Sequence, residues 1–186
     1  MRVLGGPMPR VLELVARHVG LDDRVLEVAA GTGLVTAALQ PRAREVLATD
    51  QSAAMVAQLE ARVRRAGWTN VRTARRDLYA LDEGGFDTVV AANVLHLVPD
   101  LPRALAGLLA ATRPGGALLL PTFCHDEHLL ARAVSRALAV TGFPSARRFD
   151  ARRLRAAITA SGAIVERLEV VAGVLPIAFV AARRPT

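Results

Sequence analysis

Short apolar runs alternate with longer amphipathic stretches along most of this chain, and that alternation leaves few folds open. The runs Arg24–Val28, Glu45–Thr49, Asn70–Ala74, Phe86–Ala91 and Ala117–Leu120 have the length and residue types of strands. Helical patterns separate them. Gly31 and Gly33 open a helix toward Gln40, with Pro41 after it. Ser52 caps a helix with Met55, Val56, Leu59 and Val63 on its apolar face, and Gly67 ends it. Pro99–Thr112 carries Leu101, Leu105, Leu108 and Leu109, and Pro114-Gly115-Gly116 makes a sharp turn into the next strand. A first stripe, Val11, Leu12, Leu14, Val15 and Val19, stops at Gly20. Residues 126–140 read as helical, and Asp150 caps a helix ending near Gly162. Strands that alternate with helices build a mostly parallel sheet covered on both faces. The last two runs, Ile164–Val171 and Leu175–Ala181, lie too close for a helical crossover and must pair as an antiparallel hairpin. The expected fold is α/β: a doubly wound, seven-stranded, mostly parallel sheet with an antiparallel C-terminal hairpin. It forms one domain over residues 1–186, with a short N-terminal helix at about 10–20.

Composition removes several function classes. At 186 residues and 52% hydrophobic, the chain can bury one core without staples. The single cysteine, Cys124, excludes an intrachain disulfide framework. No secretory signal pattern precedes the fold, and the longest nearly apolar run, Val170–Ala182, contains Gly173 and Pro176 and is too short to span a bilayer. The expected compartment is the cytoplasm. The net charge of +7 invites a nucleic-acid partner, which the distribution of charge argues against. All 24 basic residues are Arg; they are scattered, and aromatics, at 4%, do not interleave with them to stack bases.

Chemistry concentrates at the first turn. VLEVAAGTG (25–33) reads strand, turn, helix start, where Gly31 and Gly33 let backbone approach a ligand. Asp50 ends the second strand, where an acid accepts both hydroxyls of a ribose, or alternatively caps the following helix. Asp77 follows the third strand, placed to accept from an adenine amino group or to cap a helix. A dinucleotide site shares these parts, but its fingerprint needs a third glycine where this chain has Thr36. Glu27, inside the first strand, suits a cationic amino-acid ligand instead.

These segments, with VLATDQS (46–52), the acid in RRDLYAL (75–81), FDTVVAANVLHLVPD (86–100) and LLAATRPGGALLLPTF (108–123), resemble the class I S-adenosylmethionine-dependent methyltransferases. The flavour is similar to the ubiquinone/menaquinone C-methyltransferase-like group of small-molecule enzymes. The resemblance implies S-adenosylmethionine as cofactor and S-adenosylhomocysteine as product. It implies that Glu27, Ala29 and Gly31 line the methionine moiety, with Glu27 toward the ammonium and Gly33 also on the cofactor. Asp50 would hold the ribose, Gln51 and Met55 flank the adenine, Asp77 and Leu78 bind its edge, and Asn93 close over the sulfonium side. The Asn/Asp-Pro-Pro-aromatic signature of amino- and nucleobase N-methyltransferases is absent after the fourth strand. The implied reaction is methyl transfer to an oxygen or carbon of a small or lipid-like molecule. His96 and His125 follow the fourth and fifth strands and are the candidates for a base. Cys124, His125 and His128 give too few ligands for a metal, so none is expected. Members of the resembled family often carry an N-terminal helical cap; about one helix precedes the first strand here, so either the true start lies upstream, or the substrate is large, or a second subunit covers the pocket, and of these a homodimer narrowing the substrate mouth is the expectation. A nicotinamide-dependent oxidoreductase and a non-catalytic S-adenosylmethionine-binding partner protein are the alternatives.

Overall fold

A computed structural model describes residues 6–124, 126–127 and 148–186. Helix α1 (Met8–Arg17) leads into β1 (Arg24–Val28), α2 (Thr36–Leu39), β2 (Glu45–Asp50), α3 (Ala53–Ala66) and β3 (Val71–Arg75). Then come β4 (Phe86–Ala91), α4 (Leu101–Ala111), β5 (Thr112–Leu119), β6 (Thr122–Phe123), α5 (Ala151–Ala160), β7 (Ile164–Val171) and β8 (Ile177–Arg183).

The sheet runs β3-β2-β1-β4-β5-β8, with β6 and β7 also on β8. Neighbours from β3 through β5 pair in parallel. β8 pairs antiparallel with β5, β6 and β7, so among the described strands it alone runs backwards. The α/β class, the mostly parallel sheet and the terminal hairpin match the expectation. The eighth strand, β6, is an addition: two residues long, it borrows the edge of β8 that β5 leaves free.

Period-two alternation splits the core into two layers. Leu26, Leu47, Val89, Leu118 and Val180 face the layer of α4 and α5, meeting Leu105, Leu108, Leu154 and Ile158. Their neighbours Val25, Val46, Val90, Leu119 and Phe179 face Val11, Leu14, Leu39 and Leu59 from α1, α2 and α3. Ser52 caps α3 by accepting from the Met55 amide, Asp100 caps α4, and Asp150 caps α5.

Local geometry departs from the sequence reading at two places. Residues 31–35 are turn, so α2 is one turn long before a 3₁₀ turn at Gln40–Arg42. β5 starts at Thr112, straight from α4, and Pro114-Gly115-Gly116 is a bulge inside it rather than a turn before it. Opposite β4, Thr112 pairs Phe86 and Ala117 pairs Thr88, so the extra residues must loop out. Gly116 makes the bulge possible: a Cβ there would lie 2.9 Å from the Asp87 carbonyl oxygen and 2.7 Å from Thr112 Cγ2. The helix expected over 126–140 lies outside the described residues, apart from its first two positions.

The starting ends of the strands are locked by charge. Arg24 donates to Glu45 at 2.7 Å and to Glu83 at 3.0 Å, and its guanidinium lies 4.3 Å from the centre of the Phe86 ring. Asp87 accepts from the Arg24 amide and from Arg113 Nε. The opposite, carboxyl ends are left open for chemistry.

Candidate functional site

At those carboxyl ends lies a cavity of about 290 Å³. Val28 and Ala29 from the end of β1, Thr49, Asp50 and Gln51 from β2, and Arg76, Asp77, Leu78 and Tyr79 after β3 form one side. Asn93, Val94, Leu97, Val98 and Pro99 after β4 form the other. Parallel strands end together at one edge, so residues distant in sequence converge there without any long loop.

Asp50 organises the site. Its Oδ2 accepts from the Gly31 amide and its Oδ1 from the Ser52 amide, both at 2.9 Å. The side chain thus ties the glycine turn to the start of α3. Each oxygen keeps a lone pair for a hydroxyl in the cavity. The glycine turn is packed from behind: a Cβ on Gly33, at φ +84°, would sit 2.4 Å from Leu59 Cδ1.

Two residues that line the cavity hold left-handed backbone without being glycine: Ala29 and Asn93, both at φ 52°. Asparagine tolerates that conformation; alanine is strained there, by about 1–2 kcal/mol. Strain of this kind gathers at ligand sites. The Asn93 amide donates to the Pro121 carbonyl at 2.7 Å, pinning the loop after β4 to the end of β5. Its Oδ1 is buried with no hydrogen-bond partner among the described residues, an acceptor suited to a ligand donor.

The remaining walls are braced by polar contacts. Asp77 Oδ1 accepts from the Tyr79 amide, closing a tight turn. Tyr79 Oη accepts from the Asp100 amide, and Arg103 lies 5.0 Å from the Tyr79 ring centre. Arg76 donates to Asp82 at 3.0 Å, so its charge is matched.

Of the residues expected to take a cofactor, Ala29, Asp50, Gln51, Asp77, Leu78 and Asn93 share this lining. Glu27, Gly31, Gly33 and Met55 do not. Glu27 is 1% exposed, and its Oε2 accepts from the Thr36 hydroxyl at 2.6 Å. Burial pushes its carboxyl up to about 8, against the Thr36 hydrogen bonds and the positive charge of Arg62. Met55 is half-buried on the first turn of α3. His96 is 2% exposed, edge-on to Phe123 with ring centres 5.7 Å apart, and outside the lining. His125 and His128 lie outside the described residues. Cys124 is buried, with its thiol pushed up to about 12 by burial. The sequence reading passed over Thr49, Arg76, Tyr79 and the apolar wall from Val94 to Pro99. The signal was there: Arg76 and Tyr79 flank Asp77, and Leu97 and Val98 complete the segment that follows β4.

Glu27 gives a pH signature. Between about 4.5 and 8 the folded chain keeps a proton that the unfolded chain has released. Stability conferred by that proton is whole below the unfolded value and is lost as pH rises through about 8. Glu27→Gln is expected to remove this slope, which reaches roughly 1.4 kcal/mol per pH unit. Melting temperatures of both proteins from pH 5 to 9 check it; parallel curves contradict it.

Residues 25–116 match the model of a family described as a methyltransferase domain. Residues 25–116 are thus a methyltransferase domain, and the chain has the fold of the class I S-adenosylmethionine-dependent methyltransferases. It is 34% identical over 137 residues to the malonyl-[acyl-carrier protein] O-methyltransferase of Xylella fastidiosa, covering 67% of this chain and 46% of that one. It is 36% identical over 107 residues to the trans-aconitate 2-methyltransferase of Deinococcus radiodurans, covering 56% and 40%. The chain therefore spans less than half the length of either curated relative. The YcgJ protein of Bacillus subtilis has the same fold, with a TM-score of 0.81 at 15% identity over 96% of this chain and 99% of that one.

The residues present fit the family's cofactor. Asp50 offers two acceptor oxygens in the cavity, and Asn93 Oδ1 is a buried acceptor. Acid at Asp50 and Asp77, with Arg76 neutralised by Asp82, makes a setting a sulfonium cation tolerates. No helix among the described residues is long and apolar enough to cross a membrane.

Proposed function

We propose that this chain holds S-adenosylmethionine in the cavity at the ends of β1–β4 and methylates an oxygen or carbon of a small or lipid-like molecule, in the manner of the quinone-type group it resembles. The observation that carries this reading is the Asp50 carboxylate, fixed by two backbone amides on the cavity wall. When bound, the cofactor supplies an electrophilic methyl group on sulfur. Asp50 accepts the ribose hydroxyls, Asp77 and Leu78 border the adenine, and Asn93 Oδ1 accepts a donor, while Glu27, buried in β1 on the Thr36 hydroxyl, does not reach the ammonium. Val94, Leu97 and Val98 exclude water from the β4 side, where Leu97 is 36% exposed. An apolar acceptor suits that wall. The name of the malonyl-carrier relative, an O-methyltransferase, supports an oxygen acceptor. Displacement at a sulfonium methyl is in-line, so much of the acceleration comes from positioning and water exclusion.

Calorimetry tests the reading: S-adenosylmethionine and S-adenosylhomocysteine bind and NAD does not. Binding of NAD alone overturns it and returns the nicotinamide alternative.

His96 bears on the base. A general base contributes ~10²–10⁴-fold to turnover, and its loss leaves folding intact. Its burial against Phe123 favours packing instead. His96→Ala is expected to lower the melting temperature while turnover of the folded fraction falls only a few-fold. A drop of roughly a hundredfold or more at unchanged stability assigns the proton transfer to His96.

A further inference from the structure

A second concavity lies on the helical layer behind the glycine turn. It has a volume of about 370 Å³ and is lined by Thr32, Gln58, Ala61, Arg62 and Arg65. Gln58, Arg62 and Arg65 stand at i, i+4 and i+7 on α3, a single stripe facing the turn. The stripe carries no acid. Glu60, the one acid within α3, pairs with Arg64 at 3.9 Å on another face. Two guanidiniums three residues apart repel, and among the described residues neither forms an ion pair. Arg62 is already positioned: it donates to the Thr32 carbonyl at 3.2 Å and lies 5.6 Å from the Trp68 ring centre. That geometry leaves most of its five donors unspent.

We infer that this cleft is a binding site for a small phosphate-bearing anion, separate from the cofactor cavity. The two Arg forks match phosphate oxygens, and the Gln58 amide and Thr32 hydroxyl add neutral donors. The donors are confined to the side chains of one five-residue cleft, a footprint that suits the phosphate of a small compound. An occupant draws on the same guanidinium that holds Thr32, and so reaches the glycine turn.

Trp68 is the only tryptophan in the chain, which makes the site report on itself. The experiment is a titration of the free protein with pyrophosphate, following Trp68 fluorescence, against sodium chloride at matched ionic strength. A saturable change with pyrophosphate alone is expected. Arg65→Ala, an exposed change that leaves the Arg62–Trp68 stack in place, should weaken pyrophosphate about tenfold. The same change with chloride, or an unaltered pyrophosphate curve in Arg65→Ala with its melting temperature intact, overturns the site. Neither cofactor nor methyl acceptor is present in this measurement, so its result is independent of the methyl-transfer reading.

Discussion

Asp50→Ala is expected to weaken S-adenosylmethionine binding by about 1.5–3 kcal/mol, roughly ten- to hundredfold. Two losses add up. The cavity loses both carboxylate oxygens, which are the proposed acceptors for the ribose. The Gly31 and Ser52 amides also lose the partner that joins them, so the glycine turn and the start of α3 are no longer held at one spacing. Asp50→Asn separates the two effects. Its carbonyl can keep one amide, while its NH₂ group faces a second N–H donor and has nothing to give it. The asparagine variant should therefore fall between wild type and alanine. Calorimetry on the three proteins decides it, and equal affinity in all three removes Asp50 from the ribose.

Gly33→Ala is the second large effect, and it is a folding effect. At φ +84° an alanine is strained by about 1–2 kcal/mol. Its Cβ also lands 2.4 Å from Leu59 Cδ1, and Leu59 is fully buried, so the core must yield at roughly 1–3 kcal/mol. The expected destabilisation is about 2–5 kcal/mol by urea unfolding. Gly31→Ala provides the contrast. It has the same left-handed backbone, but a Cβ there meets nothing within 4 Å, so only the strain applies. Equal losses in the two variants argue that Leu59 moves aside freely.

Much of this was legible in the sequence, for identifiable reasons. Helix α3 was, because Ser52 and Gly67 mark its ends by local chemistry and Leu59 and Val56 mark its face. β1, β2 and β4 were, because they are largely buried and read as short runs rich in Val, Leu and Ala. Asp50 was, because a strand followed by a cap residue fixes where the acid stands. What escaped depends on partners distant in the chain. Pro114-Gly115-Gly116 reads as a turn, and only the register against β4 makes it a bulge. Thr122–Phe123 has no strand signal, since it exists through the free edge of β8. The left-handed backbone of Asn93 follows from its tie to Pro121. The burial of His96, edge-on to Phe123, also escaped, because a residue type alone does not tell an exposed imidazole from a buried one.

The reversal of β8 governs the order in which the molecule can be assembled. β8 comes after the other described strands in the chain, yet it is an inner one, with β5 and β6 on one edge and β7 along the other. β1 to β5 can find one another as they emerge. β7 cannot, since its one partner among the described residues is still to be synthesised. Until Ile177–Arg183 slides between them, β5 presents an open edge and α5 has half a surface to cover. Closure of the sheet therefore waits for the final strand, and that step joins contacts far apart in the chain, which is slow. A fragment ending before Ile177 keeps the residues of the cavity at the ends of β1–β4 and lacks the strand that seals the sheet beside them.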